Sequence, residues 1–252
     1  MKINYFFCLF LCSSLAFATP KDNYQPLPKS LEANEKGAIA MKSHDSLSAE
    51  KLFKEAYDLD QNNITAAYNL AGAYVVNHKE ALAISLLNET IKKSDKDPEL
   101  YVRLGDTYFS NQDIDKAAKA YEKALALDPS IPNVAMKLGT IYSMKNKLKD
   151  AEKMLTKAVE QAPLDPQALS NLASILLANN KAEESIRAAK KSLQQKVAAN
   201  TYLTLGQAYD SMKDGGNALI SYQKAIALGE KNPKLLDRVN KLKEIVKEKT
   251  AS

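Results

Sequence analysis

The chain has 252 residues, 45% of them hydrophobic and 26% charged, and its formal net charge is +5 at pH 7. This charge is mild, and the Lys residues alternate with Glu and Asp, as in the segment 115–123, so they indicate solvated helix faces. Nucleic-acid binding would require clustered basic residues among aromatic stacking groups, and the sequence therefore does not favour it.

The N-terminus predicts export. Met1-Lys2 is a short basic start, residues 3–17 are mostly apolar, and Ala16-Phe17-Ala18 is an A-x-A cleavage signature. We interpret residues 1–18 as a secretory signal peptide of bacterial type, cleaved near Ala18, which gives a periplasmic or secreted protein. The apolar run is shorter than the roughly 20 residues that cross a bilayer, so no direct membrane span is expected in the mature form. Residues 19–29 are polar and proline-rich and predict a flexible lead-in.

A 34-residue period follows the lead-in. Residues 98–131 and 132–165 superimpose Leu104 on Leu138 and Gly105 on Gly139. The same frame extends in both directions and gives six units, the fifth of which is one residue short: 30–63, 64–97, 98–131, 132–165, 166–198 and 199–232. A fixed period of this length indicates a solenoid of helix pairs.

The spacing inside each unit predicts two antiparallel helices. Apolar residues at the fourth, seventh and eleventh positions form one helical stripe. Small residues at the eighth, twentieth and twenty-seventh positions let helix backbones approach closely. Asp97-Pro98 and Asp165-Pro166 place an acidic cap before a helix that begins with proline.

The C-terminal region 233–252 is predicted to be a capping helix and tail. Residues 233–249 form an amphipathic pattern, and the terminal unit of a solenoid needs a polar outer face. A tail that binds a partner is the alternative.

No catalytic constellation is recognisable. The two histidines, His44 and His78, fall in predicted turns without a cysteine or a paired carboxylate at ligand spacing, and Gly215-Gly216 suits a turn and not a phosphate loop. Cys8 and Cys12, the only cysteines, leave with the signal peptide. We therefore expect a protein that is not an enzyme, with no catalytic residue, no metal and no cofactor.

The repeats resemble the tetratricopeptide repeat (TPR) family, most specifically in repeats three, four and six. Repeats one, two and five are looser, and Lys36 replaces an apolar seventh residue. The resemblance implies an all-α protein, a right-handed superhelical solenoid of antiparallel helix pairs in which the first helix of each repeat lines a concave groove.

The resemblance also implies a site in that groove. The sixth positions of repeats two to five form a polar ladder of Asn69, Arg103, Lys137 and Asn171. Amides offer both a donor and an acceptor to a peptide backbone, and Arg or Lys binds a carboxylate. Apolar groups beside the ladder are Tyr68, Val102, Phe109, Met136 and Met144. The alternatives are that the polar residues are ordinary solvated ones and that a neighbouring helix covers some of the apolar ones.

The expected function is that of a non-enzymatic periplasmic scaffold that binds a partner peptide or helix, acidic and with apolar anchors, within a cell-envelope assembly. A carboxylate clamp for chaperone tails is disfavoured because Glu99 would repel the tail. Two alternatives remain: a self-associating structural protein, and a secreted protein that acts on a host or a neighbouring cell.

Overall fold

The computed structural model describes residues 24–251, without the side chains of residues 248–251. The predicted signal peptide and the first part of the predicted lead-in therefore lie outside the described residues. Regular structure in the described range is entirely helical, and its thirteen helices are α1 Pro28–Lys42, α2 Ser46–Leu59, α3 Ile64–Val76, α4 Glu80–Lys93, α5 Pro98–Ser110, α6 Ile114–Leu127, α7 Val134–Met144, α8 Leu148–Gln161, α9 Pro166–Ala178, α10 Ala182–Gln195, α11 Ala199–Ser211, α12 Gly215–Ala227 and α13 Pro233–Ala251.

The helices pair as the period predicts. Each pair is joined by a turn with one residue in the left-handed region, at φ values from 55° to 62°. The amide that follows this residue donates back into the first helix, as Lys79 N does to Tyr74 O at 2.8 Å, which satisfies a carbonyl at the helix end. These left-handed residues are His44, His78, Gln112, Asn146, Asn180 and Lys213. Both histidines thus serve as turn residues.

Acidic or amide side chains cap the N-termini of several helices. Asp97 accepts a hydrogen bond from Glu99 N at 2.9 Å, and Asp165 accepts from Gln167 N and Ala168 N at 2.7 and 2.8 Å. Each of these two caps precedes a proline in the first turn, so both predicted helix starts are confirmed.

Glycine at the eighth position brings the two helices of a pair together. A Cβ atom added at Gly139 would lie 2.7 Å from Leu155 Cγ, and one added at Gly37 would lie 2.6 Å from the Phe53 ring. These distances are well inside the van der Waals contact of carbon atoms. The predicted close approach of the helix backbones is therefore confirmed at these two repeats.

The chain divides into two compact units, Met1–Asp113 and Ile114–Ser252, which we describe separately. In the first unit α1 contacts α3 and α3 contacts α5; in the second unit α7 contacts α9 and α9 contacts α11. Within each unit the first helices of the repeats thus form one layer, and each second helix packs beside it. We call the solvent-exposed sides of these two layers the first-helix face and the second-helix face.

The surface of repeat one on which a preceding repeat would pack is polar. Its first helix begins at Pro28, two residues before the boundary that the period gives. At the seventh position Lys36 pairs with exposed Glu32 at 2.7 Å, whereas the same position holds buried leucines in later repeats, such as Leu70 and Leu138. Leu172, at the same position of repeat five, packs in a core cluster with Ala135 and Ala151 of the helices of the preceding repeat. Lys36 has no such helix over it within residues 24–251, which explains its departure from the pattern.

Asp60 ties the last residues of the predicted lead-in to the end of α2. Its carboxylate accepts hydrogen bonds from the Tyr24 hydroxyl and from Leu27 N, the latter at 2.9 Å. Burial raises the pKa of Asp60, but the hydrogen bonds from Tyr24 and from backbone amides outweigh this and lower the pKa below its usual value.

Helix α13 covers the end of the second unit. Leu235, Val239 and Leu242 are buried against α12, while Leu236 and Ile245 of the same predicted stripe stay exposed. The Arg238 guanidinium bonds both carboxylate oxygens of Asp210 on α11, with Nε at 2.7 Å from Oδ2. This pair fixes α13 to the last repeat. No described helix combines the length and the apolar character that crossing a bilayer requires.

An identical polar clamp joins two pairs of consecutive repeats. Glu152 on α8 accepts from Asn179 Nδ2 and Lys181 Nζ, both at 2.6 Å, in the turn of the next repeat. Three periods earlier, Glu50 accepts from Asn77 and Lys79 at 2.7 and 2.6 Å. Each clamp fixes a second helix to the turn that follows the next first helix.

Candidate functional site

Arg103 and Tyr68 form the centre of the predicted site in the first unit. The Arg103 guanidinium of α5 lies 3.9 Å from the centroid of the Tyr68 ring of α3, a stacked cation–π geometry. Gly72, one turn after Tyr68, makes room for it: a Cβ there would lie 3.3 Å from Arg103 Cζ. Among the described residues, Arg103 Nε is buried and has no hydrogen-bond partner. A charged donor is thus held in a fixed plane with unused hydrogen-bonding capacity.

A carboxylate lies in the same neighbourhood. Burial raises the pKa of Glu99, and the nearby Asp97 charge adds to this rise, while the Arg103 charge opposes it. Glu99 is half-buried at the start of α5. Any acidic ligand that approaches Arg103 therefore meets a carboxyl group that is easier to protonate than usual.

The other predicted residues of the first unit differ in accessibility. Asn69 donates from Nδ2 to Asn34 Oδ1 at 3.0 Å, so part of its amide is already used between α3 and α1. Val102 is half-buried, and the side chain of Phe109 is 37% exposed. The structure therefore brings Tyr68 and Arg103 into contact, while Phe109 offers an accessible aromatic group on the same helix as Arg103.

In the second unit the prediction for Met136 is wrong. We expected an accessible apolar group, but Met136 is 6% exposed and belongs to a core cluster with Ala168 and Leu172 of α9. The reason is its fifth position in the repeat, which packs against the next first helix. At the same position, Ser170 is buried and its hydroxyl bonds that of Thr201 on α11 at 2.8 Å.

The remaining predicted residues of the second unit are more accessible. Met144 is 49% exposed at the end of α7. Lys137 is half-buried, with its ammonium 5.7 Å from the centroid of the Tyr121 ring on α6. Asn171 accepts a hydrogen bond from Gln167 Nε2 at 2.8 Å and is otherwise half-exposed. These side chains leave polar and sulfur atoms on the first-helix face of the second unit.

Hydroxyl pairs between α9 and α11 were missed by the sequence reasoning. In addition to the Ser170–Thr201 pair, Ser174 and Thr204 lie 3.2 Å apart. The available signal was the presence of small hydroxyl residues at the fifth and ninth positions of repeat five and at the third and sixth positions of repeat six. These pairs connect two first helices.

Two segments of the chain match models of known protein families. Residues 108–175 and residues 199–232 each match a family model described as tetratricopeptide repeat. No curated protein matches the sequence.

Solved structures resemble the fold at low sequence identity. The pilF protein of Pseudomonas aeruginosa is 13% identical, with a TM-score of 0.72 over 86% of this chain and 97% of that one. YrrB, described as a TPR protein with an unusual peptide-binding site, is 19% identical, with a TM-score of 0.67 over 73% of this chain and 96% of that one. A chain of the APC/C hetero-tetramer is 16% identical, with a TM-score of 0.65 over 85% of this chain; the match spans 43% of that chain, less than half its length.

At these identities the structural likeness shows the fold, and the family models show the repeats. Residues 108–175 and 199–232 are tetratricopeptide repeats, and the chain that carries them is an all-α helical-repeat solenoid.

Proposed function

We propose that the protein is a non-enzymatic periplasmic scaffold that binds a peptide or helix of a partner protein on its first-helix face, within a cell-envelope assembly. Tetratricopeptide repeats support protein–protein interaction, because stacked helix pairs present extended surfaces and few deep pockets. The observation that carries the proposal is the Arg103 guanidinium, which is stacked on Tyr68 while the residue stays partly exposed.

The chemistry of this centre suits an acidic segment with an apolar anchor. A guanidinium fixed by stacking loses little side-chain entropy when a carboxylate binds it, and its planar donors match two carboxylate oxygens. Phe109 supplies accessible aromatic area on the same helix, and aromatic residues are enriched where partners bind. Glu99 limits the affinity at neutral pH, because its charge repels a second carboxylate.

The periplasmic location rests on the A-x-A signature of the N-terminal segment. Intact mass spectrometry of the protein released by osmotic shock of bacterial cells tests it. We expect a chain that begins at Thr19. A mass that includes residues 1–18, or recovery of the protein only from the cytoplasm, would contradict the location.

The binding proposal is tested with a photoreactive residue in place of Phe109, followed by crosslinking in intact cells and identification of the adduct. Removing one charged hydrogen-bond partner costs about 1.5–3 kcal/mol, so Arg103→Gln should reduce the adduct about tenfold or more. The matched control is Lys92→Gln, which removes an exposed cation from the second helix of repeat two, and it should leave the adduct unchanged.

Three other outcomes would contradict the proposal. An adduct of undiminished yield in Arg103→Gln would remove Arg103 from the site. The absence of any adduct at position 109 would place the binding surface elsewhere. An adduct that joins two copies of the chain would favour the self-associating alternative.

A further inference from the structure

The second helices of repeats three to six carry a column of basic side chains. Two positions, one turn apart on each helix, are basic in repeats three, four and five, and the second of them is also basic in repeat six. We call these seven residues the basic ladder: Lys119, Lys123, Lys153, Lys157, Arg187, Lys191 and Lys224. All seven lie in the second unit, and all but half-buried Lys157 are exposed.

The ladder belongs to a wider asymmetry of charge. Residues 24–113 contain 10 basic and 14 acidic residues, whereas residues 114–252 contain 23 basic and 15 acidic ones. At the two ladder positions, repeat one has Lys51 and Glu55, and repeat two has Ser85 and Glu89. The sign at the second position therefore changes from negative to positive between the two units.

Pairs of like charge four residues apart lower the stability of a helix. Each such pair costs about 0.2–0.5 kcal/mol, whereas an opposite pair such as Lys51 and Glu55 contributes a similar amount of stability. Repeats three, four and five each keep a basic pair, for example Lys153 and Lys157 on α8. Alternation of charge, which the sequence reasoning assumed for these faces, would have avoided this repulsion.

Two of the carboxylates near the ladder already have partners. Glu152 accepts from Asn179 and Lys181 in the clamp, and Glu122 accepts from the Tyr142 hydroxyl at 2.7 Å. Within residues 24–251, no hydrogen bond or ion pair reaches the side-chain nitrogens of Lys153, Arg187 or Lys191. The ladder therefore has cations available for a ligand.

A cavity of about 720 Å³ runs beside the ladder on α8. Four lysines, two glutamates and three uncharged residues line it: Lys149, Lys153, Lys157, Lys181, Glu152, Glu160, Met154, Thr156 and Asn179. The aliphatic stems of lysines provide apolar walls while their ammonium groups stay in solvent. An extended chain segment can lie in this open groove, whereas a flat membrane surface would not fill it.

We infer that the second-helix face of repeats three to five is a second docking surface, distinct from the Arg103 site, which binds an acidic segment of a partner polypeptide. The segment lies in the cleft along α8, and its carboxylates pair with Lys153 of α8 and with Arg187 and Lys191 of α10. Its occupation relieves the repulsion within the basic pairs. The surface allows the scaffold to hold two partners at once, one on each face.

The test measures binding of a fluorescein-labelled peptide of twelve glutamates to the full mature chain by fluorescence anisotropy. We expect binding that weakens at least tenfold between 50 and 300 mM salt, because exposed charges are screened over about 10 Å at 0.1 M. The triple variant Lys153→Glu, Arg187→Glu, Lys191→Glu should reduce binding at least tenfold. The same triple variant should leave the crosslink at position 109 unchanged, which separates this surface from the site of the proposed function.

The matched control changes the net charge by the same amount as the ladder variant but in the first unit. It is the triple variant Lys42→Glu, Lys51→Glu, Lys92→Glu, and all three lysines are exposed. It should keep most of the binding. Equal losses in both triple variants would show that net charge alone attracts the peptide and would overturn the inference. The neutral triple Lys153→Gln, Arg187→Gln, Lys191→Gln removes the cations without adding repulsion, and circular dichroism of all variants shows whether they fold.

Two further outcomes would each overturn the inference. No peptide binding by the parent chain at 50 mM salt would refute the inference. Binding to phosphatidylglycerol vesicles, but not to the peptide, with loss in the ladder variants would assign the face to an anionic membrane and would also overturn it.

Discussion

Substitution of Gly139 by alanine tests the packing of a helix pair most directly. The added Cβ would lie 2.7 Å from Leu155 Cγ and 3.3 Å from Leu155 N, whereas carbon atoms prefer separations of about 3.5–4.0 Å. Leu155 is 1% exposed and belongs to a core cluster, so its movement has to displace other core side chains. Overpacking of this kind costs about 1–3 kcal/mol, and the better helix propensity of alanine offsets about 1 kcal/mol of that.

Gly216→Ala is the matched control. Gly216 is exposed in the first turn of α12, and an added Cβ there would approach only Asp214 Oδ1, at 3.9 Å. The control thus gains at most about 1 kcal/mol of helix propensity without a clash. The difference in the free energy of unfolding between the two variants, measured by urea titration with circular dichroism, should be about 1–3 kcal/mol in favour of Gly216→Ala.

Repeating Gly139→Ala in a Leu155→Ala variant isolates the contact between these two positions. Leu155→Ala alone should cost about 2–5 kcal/mol, because it leaves a cavity. In that background Gly139→Ala should become neutral or stabilising, since the atom that it meets is gone; the resulting coupling energy is the signature of direct contact. The reasoning is refuted if Gly139→Ala and Gly216→Ala change stability equally, or if Gly139→Ala is equally harmful with and without the Leu155 side chain.

Three further predictions concern charge and backbone. Lys213→Gly should raise stability by up to about 1 kcal/mol, seen as a higher melting temperature, because lysine at φ 62° bears left-handed strain that glycine does not; an unchanged or lower melting temperature would contradict this. Arg238→Met should destabilise by about 1 kcal/mol at pH 7. That loss should shrink as the pH falls through the pKa of Asp210, which Arg238 lowers, and a loss independent of pH would argue against the ion pair. Glu99→Gln should stabilise the chain at pH 7, because burial raises the pKa of Glu99 and thus disfavours its ionised form. The gain should vanish in urea titrations at low pH, where Glu99 is protonated both folded and unfolded; a gain that persists there would have another cause.

The helical pairs could be predicted from the sequence because the signals for them are local. The 34-residue period, the aspartate caps at Asp97 and Asp165, and the small residues such as Gly139 each depend on neighbours within one unit. The same packing constraints act on every helix pair. The residue pattern therefore recurs six times in the sequence, and each imperfect copy supports the assignment of the others.

The candidate site could be predicted only in part. Two of the predicted residues, Arg103 and Tyr68, contact each other. Whether a fifth-position residue such as Met136 is exposed depends on the next first helix, and that is a tertiary property. The hydrogen bond from Asn69 to Asn34 and the clamp at Glu152 join side chains that are about one repeat apart in the sequence. These bonds form only with particular side-chain rotamers, and the sequence pattern does not specify those rotamers.

The ion pair on the polar packing surface of repeat one also bears on how long an assembly of this protein can grow. A repeat whose end offers leucine at the seventh position accepts another repeat, and heterologous contacts that do not close into a ring continue as fibres. Glu32 and Lys36 place charge where that added repeat would have to bury its apolar residues, and α13 covers the last helix pair at the other end. Charge on the first repeat and a covering helix on the last pair therefore both disfavour the addition of a further repeat at these two surfaces.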